Sequence, residues 1–178
     1  FANTGGKMPR SLLDRLRARF PNARPYLMYG LTEAFRSTYL PPEEVDRRPD
    51  SIGKAIPNAE ILVVREDGEI CKPGESGELV HRGALVSMGY WNDPEATAQA
   101  LRGGWLHTGD VAVRDAEGCY SILGRSKDMF ISGGENVYPR ESEEFLYTHP
   151  DIEDVQAIGV PDDKYGEELM VWVKMRPG

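Results

Sequence analysis

The spacing of apolar and polar residues changes character along the chain, and each change marks a different kind of element. Over residues 11–20, Leu12, Leu13, Leu16 and Phe20 recur at helical spacing, with Asp14, Arg15, Arg17 and Arg19 between them. That spacing predicts an amphipathic helix whose arginines form a solvated face. Gly5-Gly6 followed by Lys7-Met8-Pro9 reads as a tight loop feeding the helix, and Pro21-Asn22 stops it. Pro25 then separates the helix from Tyr26-Leu27-Met28, a short apolar run that reads as the end of a strand. Residues 37–49 are polar and contain prolines, which predicts a surface connection.

Beyond that point short apolar or alternating runs at 52–56, 59–64, 78–81 and 119–123 predict strands. Turn clusters such as Glu66-Asp67-Gly68-Glu69, Lys72-Pro73-Gly74-Glu75 and Asp115-Ala116-Glu117-Gly118 separate them. Strands this short and this closely spaced suggest a small distorted antiparallel β-barrel or a curled antiparallel sheet. One helix interrupts them, with Asp93 as N-cap, Pro94 at the first helical position and a body reaching Leu101. After Arg125, Met129-Phe130-Ile131 predicts a strand, Gly133-Gly134 a turn, and Pro139 the start of a helix running to about His149. Strands follow at 155–160 and 169–175, the second alternating Leu169, Val171, Val173 and Met175 against Met170, Trp172 and Lys174. The fold class expected is therefore mixed α+β: the end of an α/β subdomain over 1–49, the small β subdomain over 50–126, and a partial α+β unit over 127–178.

Composition narrows the function classes. A chain of 178 residues holds one domain or pieces of two. Its net charge of −8 disfavours a general nucleic-acid surface, which is normally basic. No apolar run approaches the roughly 20 residues that span a bilayer, so no transmembrane segment is expected and a cytoplasmic setting is. The chain begins at Phe1 and reads as a piece of a longer protein, so a missing targeting segment says little. Cys71 and Cys119 lie far apart and read as unlinked thiols, while His81, His107 and His149 are too scattered for a zinc site.

The stretch with most chemistry is Tyr29-Gly30-Leu31-Thr32-Glu33. Glycine lets a backbone approach a ligand closely. An aromatic face, a hydroxyl and a carboxylate around it suit a base, a phosphate oxygen and the magnesium that travels with phosphates. A plain strand–turn with a capping threonine fits the same five residues.

Downstream stretches change the balance. Gly5-Gly6, Tyr29 to Glu33, Trp105-Leu106-His107-Thr108-Gly109-Asp110, and Gly124-Arg125-Ser126-Lys127-Asp128 with Ile131-Ser132-Gly133-Gly134-Glu135-Asn136 stand in one order. That ordered set resembles the adenylate-forming superfamily: acyl-CoA synthetases, luciferases and peptide-synthetase adenylation domains. Gly77-Glu78-Leu79-Val80-His81-Arg82-Gly83 and Gly89-Tyr90-Trp91-Asn92-Asp93-Pro94-Glu95-Ala96-Thr97 are similar to acyl-CoA synthetase text, and Leu31 in place of a proline favours that branch over peptide synthetases. The resemblance implies an enzyme that uses ATP to activate a carboxylic acid as acyl-adenylate, releasing pyrophosphate, and passes the acyl group to the thiol of CoA.

It also implies roles, each beside a plainer alternative. Tyr29 would lie against adenine, or be a core aromatic; Gly30 would shape the same nucleotide-binding loop. Thr32 would bond the α-phosphate and Glu33 hold magnesium, or both would cap a helix. The Gly5-Gly6 backbone would flank the adenine and acyl pocket, where Lys7 departs from the usual small residue. Asp110, on a Thr-Gly turn, would accept both ribose hydroxyls, or be a plain turn aspartate; Arg125 would contact ribose or phosphate, or be a surface charge. His107 is left open and Trp105 is assigned to packing. Lys127 would be a hinge between large and small domains, and Gly133-Gly134 would leave room for a pantetheine arm, or be a simple loop. Ser142 departs from the apolar residue expected between two glutamates, weakening the buried face of its helix. The phosphate loop and the adenylating lysine of the family fall outside these residues, so the chain alone is expected not to catalyse adenylation. A non-catalytic module that keeps the fold is the alternative from another class.

Overall fold

A computed structural model describes residues 1–3 and 8–177. Gly5, Gly6 and Lys7, with the roles expected of them, lie outside the described residues. The chain forms two compact units, Phe1–Ile122 and Leu123–Gly178.

In the first unit, α1 (Arg10–Arg19) leads to β1 (Leu27–Tyr29), β2 (Thr38–Leu40) and β3 (Lys54–Ala55). The three strands form one antiparallel sheet in the order β1-β2-β3. Parallel pairing survives as the isolated bridge between Ala2 and Tyr26. Leu13 of α1, Leu27 of β1, Leu40 of β2 and Val45 make the core beneath this sheet. Of the four apolar positions that predict α1, Leu13 is buried while Leu12 and Phe20 are exposed. The arginine face is not simply solvated either, because Arg10 and Arg17 both donate to Asp46, at 2.7 and 2.8 Å.

Residues 37–49 correct the expectation of a surface connection: Ser37, Thr38, Leu40 and Val45 are fully buried. Their polar groups are tolerated inside because each is bonded. Thr38 Oγ1 donates to the Ile52 carbonyl at 2.7 Å, and Ser37 Oγ meets His81 Nδ1 at 2.9 Å.

The rest of the first unit is built on β4 (Ala59–Val64), β5 (Ser76–Gly83), α2 (Pro94–Ala100), β6 (Leu101–Arg102), β7 (Trp105–Arg114) and the start of β8 (Tyr120–Arg125), a strand whose last three residues belong to the second unit. The strands form a five-stranded antiparallel sheet in the order β4-β5-β7-β6, with β8 also paired to β7. Of the two forms expected, the described strands make an open antiparallel sheet and not a closed barrel. Alternation along β4 buries Ile61 and Val63, which pack with Leu79, Cys71, Ala112 and Tyr120. The Asp93 carboxylate accepts from the Ala96 N–H at 2.9 Å and Pro94 opens α2, as the cap residues predict.

The second unit contains β9 (Phe130–Ser132), β10 (Glu135–Val137), α3 (Pro139–Leu146), β11 (Ile152–Asp162) and β12 (Gly166–Met175). Its strands form an antiparallel sheet in the order β10-β9-β12-β11. Gly133 and Gly134 both have positive φ, 58° and 91°, as a tight two-residue hairpin turn requires. Helix α3 ends at Leu146, short of His149, and the Thr148 hydroxyl donates to the Phe145 carbonyl at 2.6 Å. Ser142 is half-buried, and the neighbouring Glu143 ties α3 to β11 by accepting from the Ala157 N–H at 2.8 Å.

Candidate functional site

In the first unit the fold joins two candidate residues that lie 81 positions apart. The Tyr29 hydroxyl, at the end of β1, donates to Asp110 Oδ2 at 2.5 Å. Asp110 is only 6% exposed, so its carboxylate is held away from bulk water with a donor already supplied. Tyr29 is half-buried, and its ring packs against the core of the five-stranded sheet. One side of the ring thus meets the core, while the hydroxyl reaches the acid.

Asp110 does not stand on a turn, as the sequence suggested. It lies within β7, where the register shifts against β5: Glu78 pairs with Val111 and Val80 with His107, leaving Leu79 opposite Thr108, Gly109 and Asp110 together. This is a β-bulge, the device that re-aims a side chain within a strand. Gly109 adopts φ of +69°, which a residue with a Cβ resists.

The bulge is braced from both sides. Thr108 Oγ1 donates to the Leu79 carbonyl at 2.7 Å and accepts from the Asp110 N–H at 3.1 Å. Glu78 accepts from the Gly109 N–H at 3.1 Å through Oε1 and meets His107 Nδ1 at 2.7 Å through Oε2. Glu78 and His107 are thus the frame of Asp110, a role that sequence reasoning missed. The signal was their place on paired strands, which no local spacing reveals.

The loop after β1 closes on itself. Leu31 and Ala34 exchange backbone hydrogen bonds at 2.9 and 3.3 Å. A Cβ on Gly30 would lie 2.2 Å from the Phe35 carbonyl oxygen, so only glycine fits there. Thr32 is exposed and Glu33 half-buried. The Glu33 carbonyl accepts from the Ser87 N–H at 2.7 Å, and its carboxylate Oε1 accepts from the Tyr90 hydroxyl.

Tyr90 is a second partner that the sequence did not single out. No group of three or more His, Cys, Asp or Glu among the described residues could hold a metal by itself. One carboxylate fits magnesium of the nucleotide-borne kind, which takes one or two protein carboxylates and completes its shell with phosphate oxygens and water.

Ser37 follows the loop. Its N–H donates to the Tyr29 carbonyl at 2.9 Å, and its hydroxyl meets buried His81. Burial holds the His81 pKa below its ordinary value, so the ring is neutral; its Nε2 has no partner among the described residues. The free thiols Cys71 and Cys119 are buried, and burial pushes both up in pKa, which disfavours the reactive thiolate.

The remaining candidates lie in the second unit. Arg125 and Lys127 are exposed, Lys127 within a single 3-10 turn over Ser126–Asp128. Both line a cleft of about 570 Å³ together with Arg140, Glu143 and Glu167. Gly133 and Gly134 are exposed at the hairpin tip, where the Gly133 N–H donates to the Tyr165 carbonyl at 3.0 Å.

Comparison with known proteins sets this geometry beside a family. The family profile described as AMP-binding enzyme matches residues 1–91. A 2-succinylbenzoate–CoA ligase of Geobacillus kaustophilus is 41% identical over 175 residues, 98% of this chain and 35% of that protein. An o-succinylbenzoate CoA synthetase of Bacillus subtilis, solved with its acyl-adenylate intermediate, superposes with a TM-score of 0.91 at 33% identity. That match covers 99% of this chain and 36% of the other, and the same synthetase has been solved with ATP and magnesium. An amide bond synthetase of Marinactinospora thermotolerans superposes with a TM-score of 0.90 at 34% identity, covering 99% of this chain and 37% of that one. The chain thus spans about a third of the length of the relatives it matches.

Proposed function

This chain belongs to the AMP-binding enzyme family, and from that premise we propose that it is part of an ATP-dependent, AMP-forming acyl-CoA synthetase. In the proposed reaction a carboxylate oxygen attacks the α-phosphorus of ATP and pyrophosphate leaves. The thiol sulfur of CoA then attacks the acyl carbon and AMP leaves.

The observation that carries this reading is the Tyr29–Asp110 pair on the bulge of β7. A buried carboxylate is a strong acceptor for hydroxyls, and a ribose offers two. The Tyr29 ring sets an aromatic surface beside it for the base. Exposed Thr32 is the donor for the α-phosphate, and Gly30 keeps that loop tight. Magnesium held by Glu33 would offset the charge on the departing pyrophosphate. Arg125 is assigned to ribose or phosphate oxygens, Lys127 to a hinge whose backbone and not its ammonium matters, and Gly133-Gly134 to a passage for the thiol arm. Gly5-Gly6 would flank the adenine and acyl pocket.

The reading is tested by pyrophosphate release from the full-length protein with ATP across a panel of carboxylic acids, followed by addition of CoA. Acid-dependent release, then a CoA thioester, is the expected result. Release without thioester formation, but with an amide when amines are supplied, would move the acceptor toward the chemistry of the amide bond synthetase. No release with any acid would favour a non-catalytic module. The 178-residue chain alone is expected to release none, and robust turnover by it would contradict the need for a phosphate loop and late lysine elsewhere.

A further inference from the structure

We propose that Tyr90 is a positioning residue for the Glu33 carboxylate, holding Oε1 so that Oε2 is presented to the divalent cation that accompanies ATP. The proposal rests on the reading of Glu33 as metal ligand. The contact itself is direct: the Tyr90 hydroxyl donates to Glu33 Oε1, and Oε2 has no hydrogen bond or ion pair among the described residues. The last torsion of a glutamate is broad, so a free carboxylate samples many orientations. A donor fixed on one oxygen sets the direction of the other.

Both ends of this contact are anchored by backbone. On the tyrosine side, the Tyr90 N–H donates to Thr97 Oγ1 at 2.9 Å, and Thr97 Oγ1 donates to the Asp93 carbonyl at 2.8 Å. Asp93 in turn caps α2, so Tyr90 is referenced to the start of a helix. Gly89 makes the approach possible: at φ of +133°, a Cβ there would meet Thr97 Cγ2 at 2.5 Å. On the glutamate side, the Ser87 N–H holds the Glu33 carbonyl at 2.7 Å and Ala34 bridges Val86. Residues 86–97 are therefore a clamp with a backbone grip on the loop and a side-chain grip on its carboxylate. Tyr90 is 42% exposed, and a hydrogen bond so open to water adds little to stability. Orientation is the function left to it.

The test is equilibrium ATP binding by the full-length protein as a function of magnesium, with metal-free ATP binding in EDTA as a control for folding. Tyr90→Phe removes only the hydroxyl. It should raise the magnesium concentration for half-maximal ATP binding by about tenfold, at the low end for residues that support a metal ligand, with metal-free binding unchanged. Thr97→Val should shift the same parameter in the same direction by less, and Thr97→Ser should restore it. Glu33→Gln serves as reference. A large shift in Glu33→Gln with Tyr90→Phe within twofold of wild type would overturn the positioning role and leave the metal reading intact. An unchanged magnesium dependence in Glu33→Gln would overturn both.

Discussion

The two units present their candidate residues in opposite ways. In the first, Tyr29 and Asp110 hold each other across the sequence, Glu33 is held by Tyr90, and Ser37, next to that loop, is held by His81. In the second, Lys127 sits on a 3-10 turn and Gly133 and Gly134 on a two-glycine hairpin, both short local elements. Long-range bonds fix a geometry before any ligand arrives, at the cost of ordering many residues together. Local turns fix only themselves and leave their surroundings free to change partners. On the function proposed above, the contrast would suit a preformed nucleotide site in the first unit and turns free to change partners in the second. Changes in the first unit should therefore act on nucleotide binding, and changes in the second on one half-reaction.

The largest effect is expected from Gly30→Ala. Its Cβ would lie 2.2 Å from the Phe35 carbonyl oxygen, a backbone atom that cannot swing aside. Overpacking of this kind costs about 1–3 kcal/mol, and here the strain falls on the loop itself. A rise of about a hundredfold in the ATP dissociation constant is predicted, checked by titration alongside circular dichroism. Asp110→Ala follows, with a loss of about 1–3 kcal/mol in nucleotide binding, the scale of hydrogen bonds to a charged group. An unchanged dissociation constant would remove Asp110 from the site.

Lys127 sharpens the other half of the comparison. Proline fixes φ near −65° and removes a donor, so Lys127→Pro should slow thioester formation by about tenfold, or about 1.4 kcal/mol in the barrier. Adenylate formation should survive in that variant, and Lys127→Ala should be nearly silent. Single-turnover assays of each half-reaction read the difference. Equal losses in both steps would break the contrast between the units, and an alanine variant as impaired as proline would point to the ammonium.

The smallest effect concerns acid. His81 is buried and neutral, with its pKa depressed by desolvation. An unfolded histidine takes up a proton near pH 6.5 and the folded one only at lower pH, so the unfolded state binds more protons in that window. The contribution of His81 is complete above about pH 6.5 and is lost as pH falls through the depressed folded value. Urea unfolding at a series of pH values should show this decline in the wild type, and His81→Asn should flatten it.

Much of the fold was legible because its signals are local. Asp93-Pro94 marked the start of α2, the 59–64 alternation marked β4, and Gly133-Gly134 marked a turn that two positive φ angles require. What escaped depends on partners elsewhere. Ser37 and Thr38 look exposed by polarity, yet they are buried because His81 and the Ile52 carbonyl satisfy them. Thr108-Gly109 looks like a turn, and only the pairing of β5 with β7 makes it a bulge. The candidate residues could be picked out by their order along the chain. Their joins, Tyr29 to Asp110 and Tyr90 to Glu33, span 81 and 57 positions, which no spacing rule connects.

The most direct test of the central claim, that Tyr29 and Asp110 form one nucleotide-binding unit, is a double-mutant cycle on AMP binding. Tyr29→Phe keeps the ring and removes the hydroxyl, while Asp110→Asn keeps the shape and removes the charge. Isothermal titration of the full-length protein, both single variants and the double variant gives the coupling. Residues that act as one unit should show a coupling of about 0.5–3 kcal/mol, with the double variant binding AMP little worse than Asp110→Asn alone. Effects that add to within about 0.5 kcal/mol, or single variants that bind AMP as the wild type does, would contradict it.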